Sequence, residues 1–394
     1  MKTHFLFRIL LVHALLYPII PVPAADTPPL PRGLESGNSA PSRAPELPSG
    51  LGGNTTSSPE AGGDAFEFRE QTFEVSGFWE ARAGIRTQSD PHERQTSLLE
   101  TRMQLRVERP GDMVSMKLVG DLVYDDVADT RRIDLETGAG FLDLREASLL
   151  FRPAGFIDLK AGRQVLTWGT GDLIFINDLF PKDFKSFFTG RDEEYLKAPS
   201  DAVKVSLFSG SISLDIAYTP SFDANRFIDG SRISFYNPAT GTITGRDDPL
   251  KTRVPNEWFD DDEVAGRLYT NLSGYELAAY GYTGFWKNPA GSDPASGKVI
   301  FPELDVLGLS ARGALGPGIG NIELGYYHSG DDSGGSDHFI RNSELRFLAG
   351  YEQEIARETT LGIQYYLEHM QDYGNYRDSL PVGARKRDQN RHVV

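Results

Sequence analysis

From Phe73 onward the chain alternates apolar and polar residues with a period of two, in one run after another. In the first run Val75, Gly77, Trp79, Ala81, Ala83 and Ile85 share one parity, and Ser76, Glu80, Arg82 and Arg86 the other. In the second, Leu99, Met103, Leu105 and Val107 oppose Glu100, Arg102, Gln104, Arg106 and Glu108. In the third, Val114, Met116, Leu118, Leu122 and Tyr124 oppose Ser115, Lys117, Asp121 and Asp125. Such alternation predicts strands with one apolar and one polar face, and each run is long enough to cross a bilayer at a tilt. Further strands are predicted at 141–152, 155–168, 202–209, 211–219, 264–272, 274–285, 304–315, 320–329, 343–356 and 358–372, and a fourteenth begins at 391–394. In the run 141–152, Asp143 and Arg145 share the parity of Ala147, Leu149 and Phe151, which calls for a bulge or an inward aromatic patch.

The connections between these runs alternate between long and short along the whole series. Tight turns fall at Pro110-Gly111-Asp112, Pro153-Ala154-Gly155, Ser209-Gly210, Asn271 to Gly274, Gly316 to Gly320 and Ala356-Arg357. Between them lie longer stretches, the largest at 169–200 and 220–263. An up-and-down antiparallel barrel with one elaborate rim produces this order, and a soluble sandwich has no reason to keep it. The expectation is an all-β, transmembrane up-and-down barrel of about 14–16 strands when complete. In lipid only a helix or a closed barrel satisfies every backbone group, so the apolar parity is read as facing outward and the polar parity inward. Tyr and Trp near strand ends, among them Trp79, Tyr124, Trp168, Tyr282 and Tyr326, suit interfacial girdles.

Ahead of the alternating region the composition changes twice. Residues 1–24 read as a secretory signal: Lys2 and Arg8, then the apolar run Ile9 to Ile20, then Val22-Pro23-Ala24. Residues 25–66 are rich in Pro, Gly and Ser and poor in large apolar side chains, which predicts a flexible linker. The barrel is then expected over 67–394 in a Gram-negative outer membrane, reached through the periplasm. No cysteine occurs in the 394 residues, so neither a disulfide nor a thiolate site contributes. The formal charge of −16 argues against nucleic acid as a partner.

The polar parity carries the candidate chemistry. Arg82, Arg86, Arg102, Arg106, Lys117, Lys160 and Lys204 come from the first six strands, and Glu344, Glu352, Glu354 and Glu368 from the last two complete ones. Two readings stand side by side: opposed walls that set a transverse field across a water-filled lumen, or charges paired among themselves that fill it. The long loops are acidic (Asp125, Asp126, Asp129, Asp247, Asp248, Asp260 to Glu263, Asp331, Asp332, Asp337), so outer-membrane lipid, lipopolysaccharide and divalent cations are candidate partners at the rim. The segment 169–200 is too rich in phenylalanine for a free loop. It is expected to fold inward as a constriction built on Trp168, Asp178, Phe180, Lys182, Asp183, Phe184 and Arg191. Enzyme signatures are absent: there is no Gly-x-Ser-x-Gly, His-Glu-x-x-His or P-loop, and no cofactor motif. A barrel hydrolase using Ser310, His328 or His369 is the remaining enzymatic alternative.

Gly162-Arg163-Gln164, Trp168-Gly169 and Asn177-Asp178-Leu179-Phe180-Pro181, with Leu144-Arg145-Glu146-Ala147 and Gly362-Ile363-Gln364-Tyr365-Tyr366, resemble a porin-like Gram-negative outer-membrane barrel family of unknown function related to alginate-export-type channels. The resemblance covers roughly 73–394. It implies a barrel whose loop after the Gly-Arg-Gln strand turns inward, and it implies a final strand ending in an aromatic. Here the sequence stops at Arg391-His392-Val393-Val394, so a C-terminal truncation is expected. The functional expectation is a passive channel for small polar solutes. A non-conducting barrel acting as scaffold or export partner is the alternative.

Overall fold

The computed structural model describes residues 72–128, 132–171, 173–237 and 241–394; the expected signal (1–24) and linker (25–66) lie outside them. The first strands are β1 (Glu74–Ile85), β2 (Thr96–Arg109), β3 (Val114–Asp125), β4 (Leu142–Ala154), β5 (Ile157–Val165), β6 (Pro199–Ser209) and β7 (Ile212–Thr219). Three short strands follow in the next loop, β8 (Phe235–Asn237), β9 (Thr242–Thr244) and β10 (Thr252–Arg253). Then come β11 (Glu263–Leu272), β12 (Tyr275–Phe285), the short β13 (Gly291–Asp293) and β14 (Lys298–Ile300), β15 (Glu303–Leu315), β16 (Gly318–Ser329), β17 (Glu344–Ala356), β18 (Thr359–Met370) and β19 (Asn390–Val393).

Leaving out the five short rim strands, the rest form one 14-stranded antiparallel sheet in which each strand pairs with its neighbour along the chain. These are the fourteen runs read from the alternation. Within the described residues β1 pairs only with β2 and β19 only with β18. The small strands build structure inside the long loops: a β8–β9 hairpin, and a β13–β14 hairpin with β10 alongside β14.

The faces follow the alternation. Val75, Trp79 (70% exposed), Ile85 (75%), Leu99, Met103, Leu105, Leu307, Leu309, Ile322, Leu324, Leu361 and Ile363 stand on the bare face, while Glu100, Arg102, Gln104, Asp121, Glu323 and Glu344 are buried on the other. A soluble monomer does not leave large apolar side chains bare along nearly every strand of its main sheet. The sheet is the wall of a transmembrane barrel, with lipid outside and charge inside. Trp79, Tyr124 and Tyr326 take the outward positions expected of a girdle, but Trp168 and Tyr282 are buried on the inner side.

The parity conflict in β4 is a bulge. Val119 pairs with Glu146 and Gly120 with Leu144, so Arg145 is the unpaired extra residue. Asp143 is buried before it, Arg145 at it, and Glu146 and Ser148 after it. The change of parity lets a single strand present four polar side chains to the lumen.

Candidate functional site

The connection between β5 and β6, residues 166–198, crosses the space inside the wall. Its first half lies against β15 and β16. A chain that leaves the sheet brings peptide N–H groups into a place with little water, and each needs an acceptor. Glu323, on the inner face of β16 and 1% exposed, provides it. Its carboxylate accepts from Thr170 N–H, Thr170 Oγ1 at 2.8 Å, Gly171 N–H at 2.9 Å, Asn177 N–H at 3.1 Å and Asn177 Nδ2 at 3.0 Å. Tyr327 donates its hydroxyl to Ile176 O, and Ile176 is fully buried. The wall is thinned where this contact is made. Gly308 and Gly325 are cross-strand partners, and a Cβ on them would stand 1.7 Å from Asn177 Oδ1 and 2.6 Å from Ile176 Cγ2. Trp168 packs edge-on to Phe180 at 4.8 Å and lies 6.4 Å from Tyr280 of β12.

The second half reaches β1 to β4. Asp183 caps the short helix α1 (Phe184–Phe188), accepting from Ser186 N–H and Oγ, both at 2.7 Å. Arg191 forks onto Glu100, Arg82 donates to Gly190 O, and Arg145 donates to Glu194 O (3.1 Å) and Lys197 O (2.7 Å). Tyr195 donates to Asp121 (2.7 Å) and accepts from Gln104 Nε2 (2.9 Å). The guanidinium carbons of Arg102 and Arg145 stand 4.6 and 4.4 Å from its ring centre. Burial pushes the Tyr195 phenol up, so it serves as a neutral donor.

A third element comes from the long loop between β7 and β11. Arg226, buried, bonds Asp143 (3.0 and 3.1 Å) and Asp183 (3.1 Å), tying that loop to both the wall and α1. Lys287 Nζ meets both oxygens of Glu263 (2.6 and 2.7 Å) and Asp223 O. Burial, and then the Glu136 carboxyl beside it, pushes the Asp223 carboxyl well up. Burial also pulls the Lys182 ammonium down, against the opposing pull of Asp178 at 2.8 Å.

The basic residues read from the strands all have carboxylates beside them. Arg82 pairs with Glu80 (2.8 Å), Arg86 with Glu93 (3.7 Å), Arg102 with Glu100 and Asp121, and Arg106 with Glu108 (3.9 Å). Lys117 and Lys160 share Glu146, and Lys204 pairs with Asp215 (3.3 Å). Among the acids, Glu344 holds Arg341 and Arg346, Glu352 meets Arg312 (3.1 Å), and Glu368 meets Arg341 (3.0 Å). Glu354 is exposed at a turn, where it accepts from Glu358 N–H. In the crossing segment Trp168, Asp178, Phe180, Lys182 and Asp183 are buried, Phe184 is half-buried and Arg191 is largely covered. Phe187 and Phe188 do not join them: both are exposed and meet edge-to-face. The hydrolase candidates are not brought together. Ser310 bonds the Tyr280 hydroxyl, His328 faces Ser343, and His369 faces Asn390.

Strand parity is the signal that could have placed Glu323 inside, between outward Ile322 and Leu324, but its role depends on a segment about 150 residues earlier. Arg226 lies in an aperiodic loop and carried no signal.

The segment leaves cavities on its two sides. One of about 610 Å³ extends toward the short turns and is lined by Trp168, Thr170, Glu193, Arg267, Glu276 and Arg312 among others. The other, about 340 Å³, extends toward the long loops and includes Lys182, Trp286, Lys287, Tyr327, Arg341 and Arg346. Phe175 and Asp178 line both. No family model matches the chain, and no curated protein matches it. Among solved structures it is similar to a loop L8 deletion mutant of OmpT, an outer membrane protein of Vibrio cholerae. There the TM-score is 0.40 and the identity 11%, covering 76% of this chain and 83% of that one. It is also similar to outer-membrane-expressed OmpT (TM-score 0.39, 11%, 76% of each chain) and to a multiply substituted Rh. blastica porin (TM-score 0.29, 11%, 76% and 95%). These scores are low, and the fold is carried by strand pairing and by the distribution of apolar residues.

Proposed function

We propose that the protein is an outer-membrane, porin-like channel for passive diffusion of small polar solutes, with residues 169–200 as its constriction. One observation supports this most directly: the crossing segment is held to both walls yet leaves a polar cavity on each side, with Phe175 and Asp178 in the lining of both. A solute entering from the rim passes a basic, aromatic chamber, then Asp178 with its Lys182 partner, then a chamber with Asp192, Glu193, Glu194 and Glu276 in its lining. The paired charges keep the lumen hydrated and narrow without a strong net field. The acidic rim is the part that would meet lipopolysaccharide through divalent cations.

A second reading has an observation of its own. The five hydrogen bonds on Glu323 and the burial of Ile176 suit a permanent plug, and a plugged barrel would act as scaffold or export partner. Planar-bilayer recording separates the two. Discrete conductance steps from the intact protein, enlarged by deleting 176–195, support the channel. Silence from the intact protein, with conduction only after the deletion, supports the plug.

A further inference from the structure

We propose that the rim-side cavity is a binding site for a small monocarboxylate with a flat apolar body. The proposal deepens the channel reading by naming its solute class, and it is testable without conduction. Five cations line this cavity: Lys182, Lys287, Arg341, Arg346 and Arg391. Two carboxylates line it with them, Asp178 and Glu368, and Glu344 and Glu263 stand behind the cations they hold, so one positive charge is left over. In a chain of formal charge −16 that is a local reversal of sign.

Two of the cations, Arg341 and Arg346, are fixed by carboxylates, whereas Arg391 is exposed and only loosely paired with Glu368 (3.9 Å). Glu344 takes Arg341 Nε at 2.5 Å and Arg346 Nη2 at 2.8 Å, and Glu368 takes Arg341 Nη2 at 3.0 Å. Both guanidinium groups commit their Nε and Nη2 donors to Glu344, which leaves their Nη1 groups, held in fixed positions, to meet a ligand carboxylate. Between them lies Trp286, 4% exposed, with Arg341 and Arg346 at 4.9 and 5.4 Å from its ring centre and Tyr327 at 5.6 Å. Its indole N–H is buried with no acceptor in the protein. An orphaned buried donor is costly, and a ligand acceptor relieves it. Trp286, Tyr327 and Phe180 give the walls a flat apolar character that a hydrated inorganic anion would not use. The volume sits at the small end of ligand sites, which suits one ring and one acid group.

The test uses the full-length protein in detergent, with benzoate as probe and benzyl alcohol and benzylamine as controls, binding being followed by equilibrium dialysis. Saturable benzoate binding, with neither control competing, is expected. Trp286→Phe and Arg341→Gln should each weaken it about tenfold or more, because each removes a donor to a charged acceptor. Heat-dependent gel mobility checks that the variants fold. Benzoate binding no better than benzyl alcohol overturns the proposal with no variant needed, and so does unchanged affinity in both folded variants. Binding without conductance would leave the site standing and overturn only the channel.

Discussion

Two long excursions leave the sheet, residues 166–198 and 220–262, and they end in different places. Both carry aromatics and charge. The first goes inside and is held there; the second stays mainly at the rim, with Tyr236, Ile243, Trp258 (61% exposed) and Phe259 bare. Apolarity therefore does not decide which loop enters. What separates them is who answers the backbone. The inner segment is met by wall side chains at chosen points, Glu323 on one side and Arg82 and Arg145 on the other. The rim loop answers its outer part itself, through its hairpin and through turns such as Leu250 N–H to Asp229 O and Asp261 N–H to Glu257 O, while the N–H groups of Asn225, Arg226 and Arg246 reach the carbonyls of Lys287, Lys182 and His92. A lumen accepts a loop when the strands around it carry the matching acceptors and donors.

The largest test of that contrast is Glu323→Ala. It leaves the peptide N–H groups of Thr170, Gly171 and Asn177 without their acceptor, and each buried orphan costs about 1–3 kcal/mol. A loss of roughly 3 kcal/mol or more is expected in the urea midpoint of the folded, heat-modifiable form. Trp258→Ala at the rim should stay within about 0.5 kcal/mol. If the two variants behave alike, the inner segment is not held by its polar contacts.

A second test narrows the contrast to shape. Gly308 and Gly325 leave room for Asn177 and Ile176, so Gly325→Ala should overpack the contact and cost about 1–3 kcal/mol. Gly274→Ala, in a turn where a Cβ would meet nothing within 4 Å, separates crowding from backbone strain: its φ of 85° makes any loss there conformational. If Gly325→Ala is neutral, the segment docks with slack.

The wall was legible in the sequence because a period of two is a local signal: fourteen runs of alternation became fourteen strands. The inward turn of 169–200 was legible in its phenylalanines, although Phe187 and Phe188 are exposed and polar anchors do the holding. The charges read as opposed walls have close partners, among them Asp121, Asp215 and Glu146, on neighbouring strands. Parity tells which face a charge takes, but it does not tell which charge two strands away it will meet. Glu323, Tyr195 and Arg226 act across long sequence separations that no window along the chain contains. The β4 bulge stood in between, visible as a parity conflict and resolved only by the pairing.

The smallest effect concerns the rim, and it has a sign. His92, in the loop after β1, bonds Asp247 of the long rim loop at 2.9 Å; the histidine is half-buried and the aspartate exposed. That bond raises the histidine above its ordinary value, and the same bond lowers the aspartate. A group whose value is raised in the folded state contributes below its ordinary value and loses that contribution as pH rises through the raised one. The aspartate stays ionised throughout that range, so the histidine alone sets the window. The rim contact is therefore closed in mild acid and released in mild alkali, while the contacts of Thr170, Gly171 and Asn177 with Glu323 contain no histidine. Limited proteolysis at about pH 5.5 and about pH 9 should show faster cutting within 220–262 at the higher value and no change within 166–198. His92→Gln should abolish the difference at the rim. Equal pH dependence in both segments would mean that rim and lumen open together, and the contrast between them would fail.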